Sequence, residues 1–178
     1  KIKTQAAVLD YYKLEQSSQL MEYIEEIELN DKTNREGHAA KVYFNALFGK
    51  GFSRSDDCPV NAALNYGYSI ILSIFNREVA ASGYLTQLGL FHDNMFNQYN
   101  LSCDLMEPFR PFVDLTVREM NPMKFDKEEK LQIYAMLSEE IRIDGRTQTF
   151  INAIKIYCKS IFAAIEENDI SLIRFACR

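Results

Sequence analysis

The sequence predicts an all-α fold, a single compact domain of several helices over residues 1–178, packed around one central buried helix. Three observations carry that expectation. Apolar residues recur at helical spacing through nearly every segment. Only 7 Gly and 4 Pro interrupt the chain, too few turn signals for a fold of many short strands. The most apolar run, Ala62 to Phe75, follows Pro59, a residue suited to the first position of a helix. A length of 178 residues suits one domain, and 47% apolar with 25% charged residues excludes disorder.

Taken in order, residues 4–29 carry a helical pattern with a break near Gln16-Ser17-Ser18. Asp31 to Asn34 offer N-caps for a helix from Arg35 to about Phe48, which Gly49 ends. The next helix runs from Pro59 to about Ala81. Asn61, Asn65, Ser69 and Ser73 recur in it every four residues, one polar stripe on a helix otherwise read as buried. Those groups either bond between helices or line a site, and the spacing alone leaves both readings open. The same residues keep the run short of the ~20 apolar residues that cross a membrane. A helix is expected from about Asp104 to Met120, with Pro108 tolerable in its first turn and Pro111 forcing a kink or a later start. Asp144-Gly145-Arg146-Thr147 opens a final amphipathic helix that lines up Phe150, Ile154, Tyr157, Ile161 and Ile165. There is no internal repeat, low-complexity segment or interdomain linker.

The net charge of −5 argues against a simple polybasic binder of nucleic acid or membrane, while leaving room for a local basic groove. Cys58, Cys103, Cys158 and Cys177 are widely spaced, without a C-x-x-C pair, and are read as reduced thiols of a cytoplasmic protein. The chain opens at Lys1 in what reads as mid-helix sequence, so it is expected to be a piece of a longer protein.

Few residues carry chemistry. Glu36 shares a helix face with Ala40, Tyr43 and Leu47. A carboxylate there is either a first-turn glutamate favoured by the helix dipole or a group that needs a cation, a metal or several donors. His92 follows Gly89-Leu90-Phe91; a lone histidine is often structural, but an imidazole is also a metal ligand. His38, two residues from Glu36, points elsewhere. Asp104, Glu107 and Arg110 recur every three residues and so share one side of a helix. They read either as an N-cap with a first-turn acid, or as paired carboxylates that need a cation between them. Two or three carboxylates and one imidazole bordering apolar helices fit a Mg²⁺ or Mn²⁺ site. A di-iron bundle needs Glu-x-x-His, which is absent, and the glycines at 49–54 do not form a phosphate-binding loop. No Ser-His-Asp or Cys-His arrangement is readable.

Four stretches carry a family resemblance: Arg35 to Phe44 (REGHAAKVYF), Pro59 to Tyr68 (PVNAALNYGY), Gly89 to His92 (GLFH) and Cys103 to Pro111 (CDLMEPFRP). They resemble the C-terminal helical domain of the CRISPR-associated integrase, the metal-dependent enzyme of spacer acquisition, and most of all its type II branch. The resemblance implies Glu36, His92 and Glu107 as catalytic metal ligands for Mg²⁺ or Mn²⁺. It implies Asp104 as an acidic neighbour, Arg110 as a basic one and Tyr66 as a tyrosine near the centre. The family's N-terminal β-domain has no counterpart in these residues.

The implied activity is insertion of new spacers into a CRISPR array, by attack of a DNA 3′-hydroxyl on a phosphodiester. The implied partners are double-stranded DNA (protospacer and repeat), a second copy in the full-length protein, a small ferredoxin-fold protein, and in type II systems further adaptation proteins; no membrane is involved. Arg35, Lys41, Arg54, Arg110, Arg142 and Arg146 are candidates to line a DNA groove. The alternative is a non-catalytic helical scaffold that binds DNA or protein.

Overall fold

The computed structural model describes residues 1–28 and 31–177. Among the described residues, eight α-helices carry the fold: α1 (Ile2–Tyr11), α2 (Gln16–Glu25), α3 (Arg35–Phe48), α4 (Pro59–Ala81), α5 (Asn100–Met106), α6 (Arg110–Met120), α7 (Lys127–Ala135) and α8 (Phe150–Glu166). Three short strands, β1 (Glu140–Ile143), β2 (Arg146–Thr149) and β3 (Ala176–Cys177), form an antiparallel sheet in the order β2-β1-β3. The fold is therefore all-α with one small sheet. No helix among the described residues is long and apolar enough to cross a membrane.

Local chemistry explains the helix ends. The Asp31 carboxylate accepts from the backbone N–H of Arg35 (2.7 Å) and Glu36 (3.0 Å), so the first free donors of α3 are satisfied. Pro59 sits in the first turn of α4. The break between α1 and α2 falls at residues 12–15, just before the serine pair expected to make it. Leu29, the end of the first expected helical segment, lies outside the described residues.

The helix expected over 104–120 begins earlier, at Asn100, and is split. Pro108 and Pro111 lack the N–H that would bond the carbonyls of Asp104 and Glu107, so a 3₁₀ turn (Glu107–Phe109) separates α5 from α6. That break decides where Glu107 points.

The C-terminal expectation needs correction. Asp144 and Gly145 both have positive φ, 52° and 71°, and form a two-residue turn between β1 and β2. The Asp-Gly pair turns a hairpin instead of opening a helix. The helix begins at Phe150, where the Thr149 hydroxyl accepts from the N–H of Asn152 at 3.3 Å. Phe150, Ile154, Tyr157 and Ile161 are buried as their spacing requires, and Ile165, in the last turn, is exposed.

α4 is the central element and touches α5, α6, α7 and α8. Leu64 and Ile71 are fully buried. Its polar stripe, however, faces outward: Asn65, Ser69 and Ser73 are exposed and only Asn61 is buried. The Ser69 and Ser73 hydroxyls donate to carbonyls of their own helix.

The main core joins α4 to the α5–α6 turn and α8. Phe109 is 1% exposed, with its ring 5.3 Å from Phe75, 5.3 Å from Tyr157 and 5.6 Å from Phe150. A second cluster, including Leu9, Leu20, Tyr43 and Leu115, packs α1, α2 and α3 against α6.

Candidate functional site

Phe109 is buried, and its neighbours Glu107 and Arg110 flank it towards α1 and α3. Glu107 is only 14% exposed in its side chain. Its Oε1 lies 3.3 Å from Arg110 Nη2. Its Oε2 is buried without a hydrogen bond, and the Lys1 ammonium stands 3.0 Å away. The same ammonium lies 3.8 Å from Glu36 Oε2. Helix α3 and the α5–α6 turn thus bring two carboxylates, 71 residues apart in the sequence, onto one cation. Such a pair repels without a positive charge between its members.

His92 belongs to the loop between α4 and α5, which Asp104 organises. The Asp104 carboxylate accepts from the backbone N–H of Leu90 (2.6 Å), Phe91 (2.9 Å) and His92 (3.1 Å). His92 Nδ1 lies 2.5 Å from Asp104 Oδ1. A carboxylate that already accepts three N–H groups accepts from Nδ1–H too, which leaves Nε2 with the free lone pair. The loop closes so tightly that a Cβ on Gly89 would lie 2.2 Å from the His92 carbonyl oxygen and 2.8 Å from Asp104 Oδ2. Asp104 is therefore an interior residue of α5 that holds a loop, not the cap of a helix.

The three expected ligands are not yet gathered. Glu36 and Glu107 share the Lys1 ammonium, whereas His92 is held by Asp104, one helical turn before Glu107. Among the described residues, no three His, Cys, Asp or Glu side chains are grouped closely enough to hold a metal as they stand. The donor set nonetheless fits a divalent ion. It comprises a buried carboxylate oxygen with no hydrogen bond, a second carboxylate on the same cation, and an imidazole oriented by an acid.

Behind Glu107 lies a network that the motifs did not single out. Asp114, on α6, is 1% exposed. It accepts hydrogen bonds from the hydroxyls of Tyr43 (3.0 Å) and Tyr68. Burial pushes its pKa up to about 7, against the opposing pull of the two tyrosine hydroxyls and of Arg54 and Arg110. Burial first, and Asp114 second, hold both tyrosines well above their usual range. α4 and α6 meet at Gly67, where a Cβ would lie 2.4 Å from Val113 Cγ1. That close approach brings Tyr68 within reach of Asp114. The available signal was an acid set between two apolar neighbours, Val113-Asp114-Leu115.

The other expected residues scatter. Tyr66 packs edge-on against Phe125 at 5.6 Å, while Tyr68, two residues on, carries the guanidinium of Arg110 over its ring at 5.2 Å. Arg54 also lies over Tyr68, at 5.5 Å, and donates to Asn61 and Asn65. Asn61 in turn donates to the carbonyls of Ser53 and Asp56, 2.8 Å each, and pins the loop before α4. The upper part of the polar stripe thus supports Arg54. Arg35 is spent within the fold, 3.0 Å from Glu26 and over the Tyr23 ring. Lys41 is exposed on α3, and Arg142 and Arg146 are exposed on the hairpin. His38 is exposed, as its position on α3 implied, and all four cysteines are free.

Comparison with known proteins adds to this geometry. Residues 1–144 match the family model described as CRISPR associated protein Cas1. A relative named CRISPR-associated endonuclease Cas1, from Neisseria meningitidis serogroup C (strain 8013), is 42% identical over 149 residues, covering 81% of this chain and 49% of that protein. The chain spans about half the length of this curated relative. A solved structure titled "Casposase bound to integration product" superposes with a TM-score of 0.74 at 17% identity, over 94% of this chain and 62% of that one. A second, titled "Cas6-RT-Cas1--Cas2 complex", gives a TM-score of 0.74 at 16% identity, over 97% of this chain and 23% of that one. Likeness at such identities shows the fold alone.

Proposed function

The chain belongs to the CRISPR-associated protein Cas1 family, and we propose that it is the catalytic part of a metal-dependent DNA integrase and endonuclease of spacer acquisition. The observation that carries this reading is the pair Glu36 and Glu107, drawn onto one cation; separately, Asp104 orients the His92 imidazole. The name of the Neisseria relative and the casposase fold support it.

Glu36, His92 through Nε2, and Glu107 would hold Mg²⁺ or Mn²⁺. The bound ion would lower the pKa of an attacking hydroxyl and stabilise charge on the phosphoryl oxygens. The remaining work belongs to the side chains. Arg110 takes a phosphate oxygen through its planar guanidinium, and Glu107 limits how that group can turn. Asp104 keeps the Nδ1 proton in place, so His92 presents the same nitrogen throughout. In the reaction proposed, the 3′-oxygen of a DNA fragment attacks phosphorus at the edge of a CRISPR repeat. One phosphodiester forms as another breaks, and the departing 3′-oxygen takes up a proton. Attack by water at the same centre gives cleavage instead. Double-stranded DNA, a second copy and the small ferredoxin-fold protein are the partners this reading implies, and the complex named in the second fold likeness supports the last.

A second reading, a non-catalytic helical scaffold, draws on the absence among the described residues of a three-residue ligand group. Strand transfer and DNA affinity measured side by side in the full-length protein, with Mg²⁺ or Mn²⁺, separate the two. Glu107→Gln should abolish strand transfer and leave DNA affinity unchanged or improved. Transfer within about tenfold of wild type, ~1.4 kcal/mol in barrier, would favour the scaffold.

A further inference from the structure

Resting on the DNA reading of the site, we propose that Tyr68 is a positioning residue: tied down by Asp114, it fixes Arg54 and Arg110 as a pair that grips DNA phosphates beside Glu107. Three contacts meet at this side chain.

Asp114 lies at the bottom, nearly devoid of solvent contact, with one carboxylate oxygen on Tyr43 and the other on Tyr68. A buried acid with both oxygens engaged is costly to move, so the Tyr68 ring it holds cannot swing without leaving an unpaired buried group. Two guanidiniums then rest over that one ring, Arg110 at 5.2 Å and Arg54 at 5.5 Å, both within cation–π range.

Each arginine is also held at its tip. Arg110 Nη2 reaches Glu107 at 3.3 Å, and Arg54 Nη2 donates to Asn65 at 2.5 Å. Neither of those partners cancels the double charge fully. Glu107 already faces Lys1, and Asn61 and Asn65 are neutral. Two guanidiniums held near one ring concentrate positive charge there, which favours an anion. Phosphate is the anion whose oxygens match guanidinium donors. Arg54 reaches the ring from the loop before α4 and Arg110 from the start of α6, so Tyr68 is the common floor that sets their mutual geometry.

A double-mutant cycle on the full-length protein tests this, read as affinity for a labelled DNA duplex across a salt series. With Tyr68 intact, Arg54→Ala should weaken binding about tenfold and reduce the salt slope by about 1. In a Tyr68→Leu background, the same change should cost less than about threefold, because Arg54 keeps only the Phe44 ring, 5.7 Å away, and has lost the ring that it shares with Arg110. Tyr68→Phe keeps the ring and volume but frees it from Asp114. It decides the matter if the leucine variant fails to fold, and the cost of Arg54→Ala should fall there too. An equal cost in every background overturns the proposal, since a purely structural tyrosine would leave the arginine's contribution unchanged. A wild-type protein that does not bind duplex DNA overturns the DNA reading itself, and this inference with it.

Discussion

Lys1 Nζ lies 3.0 Å from Glu107 Oε2, and the same ammonium lies 3.8 Å from Glu36 Oε2. A single-charge cation therefore stands where the proposed reaction needs a divalent one. Lys1→Gln should leave the two carboxylates in mutual repulsion. In EDTA its melting midpoint should fall by about 2–4 °C, the shift that ~1 kcal/mol gives a chain of this size, and Mn²⁺ should restore it. A midpoint equal to wild type in EDTA would show that the contact carries no stability.

Asp104 offers a second test, because it holds the His92 loop by its backbone and His92 by its ring. Asp104→Ala removes every one of those acceptors. Limited proteolysis should then cut between Tyr84 and Tyr99 faster than in wild type. Mn²⁺ affinity should drop about 10–100-fold, the usual cost of losing the partner that orients a ligating histidine. Unchanged cleavage and unchanged affinity would remove Asp104 from the site.

The pH dependence of stability should carry the mark of Asp114. Its pKa in the folded protein is pushed up to about 7 by burial, above its ordinary value of 3.8. Between those values the folded chain holds a proton that the unfolded chain releases, so the contribution of this group is full below pH ~4 and is lost as pH rises towards 7. Asp114→Asn cannot titrate. Relative to wild type, the variant should gain stability on going from pH 5 to pH 8, on the order of 1–3 kcal/mol, measured by urea unfolding at both pH values. A difference between the two proteins that does not change with pH would contradict the assignment.

Phe109 links core to site. Its ring is buried among Phe75, Phe150 and Tyr157, on the same 3₁₀ turn that presents Glu107. Phe109→Ala should cost about 3–5 kcal/mol in chemical unfolding and loosen the carboxylate pair as well. A loss below ~1 kcal/mol would mean that the turn is held by something else.

Much of this was readable before the structure. Helix α3 and helix α4 begin and end where Asp31, Gly49 and Pro59 put them, because capping and proline act within a few residues of sequence. The break before α6 is legible in Pro111, whereas Pro108 reads as tolerable only in a first turn near Asp104, and the helix in fact begins at Asn100. The hairpin at 140–149 is not legible in the sequence, because Asp144-Gly145 also resembles a helix start and four-residue strands leave little alternation to count. At the site, Glu36 and the Asp104–Glu107–Arg110 spacing were legible as local patterns. The roles of Lys1, Tyr68 and Asp114 were not. Each depends on a partner 46 to 106 residues away, and only the close approach of α4 and α6 at Gly67, or the docking of α1, brings those partners together.

The central claim is that Glu36, His92 and Glu107 bind one divalent ion. Calorimetric titration of the protein with Mn²⁺, with folding of each variant checked by circular dichroism, tests it most directly. Wild type should bind a single ion, and Glu36→Gln, His92→Ala and Glu107→Gln should each weaken that binding at least about tenfold, ~1.4 kcal/mol. A wild type that binds no Mn²⁺, or a folded Glu107→Gln variant that binds it as tightly as wild type, would contradict the claim.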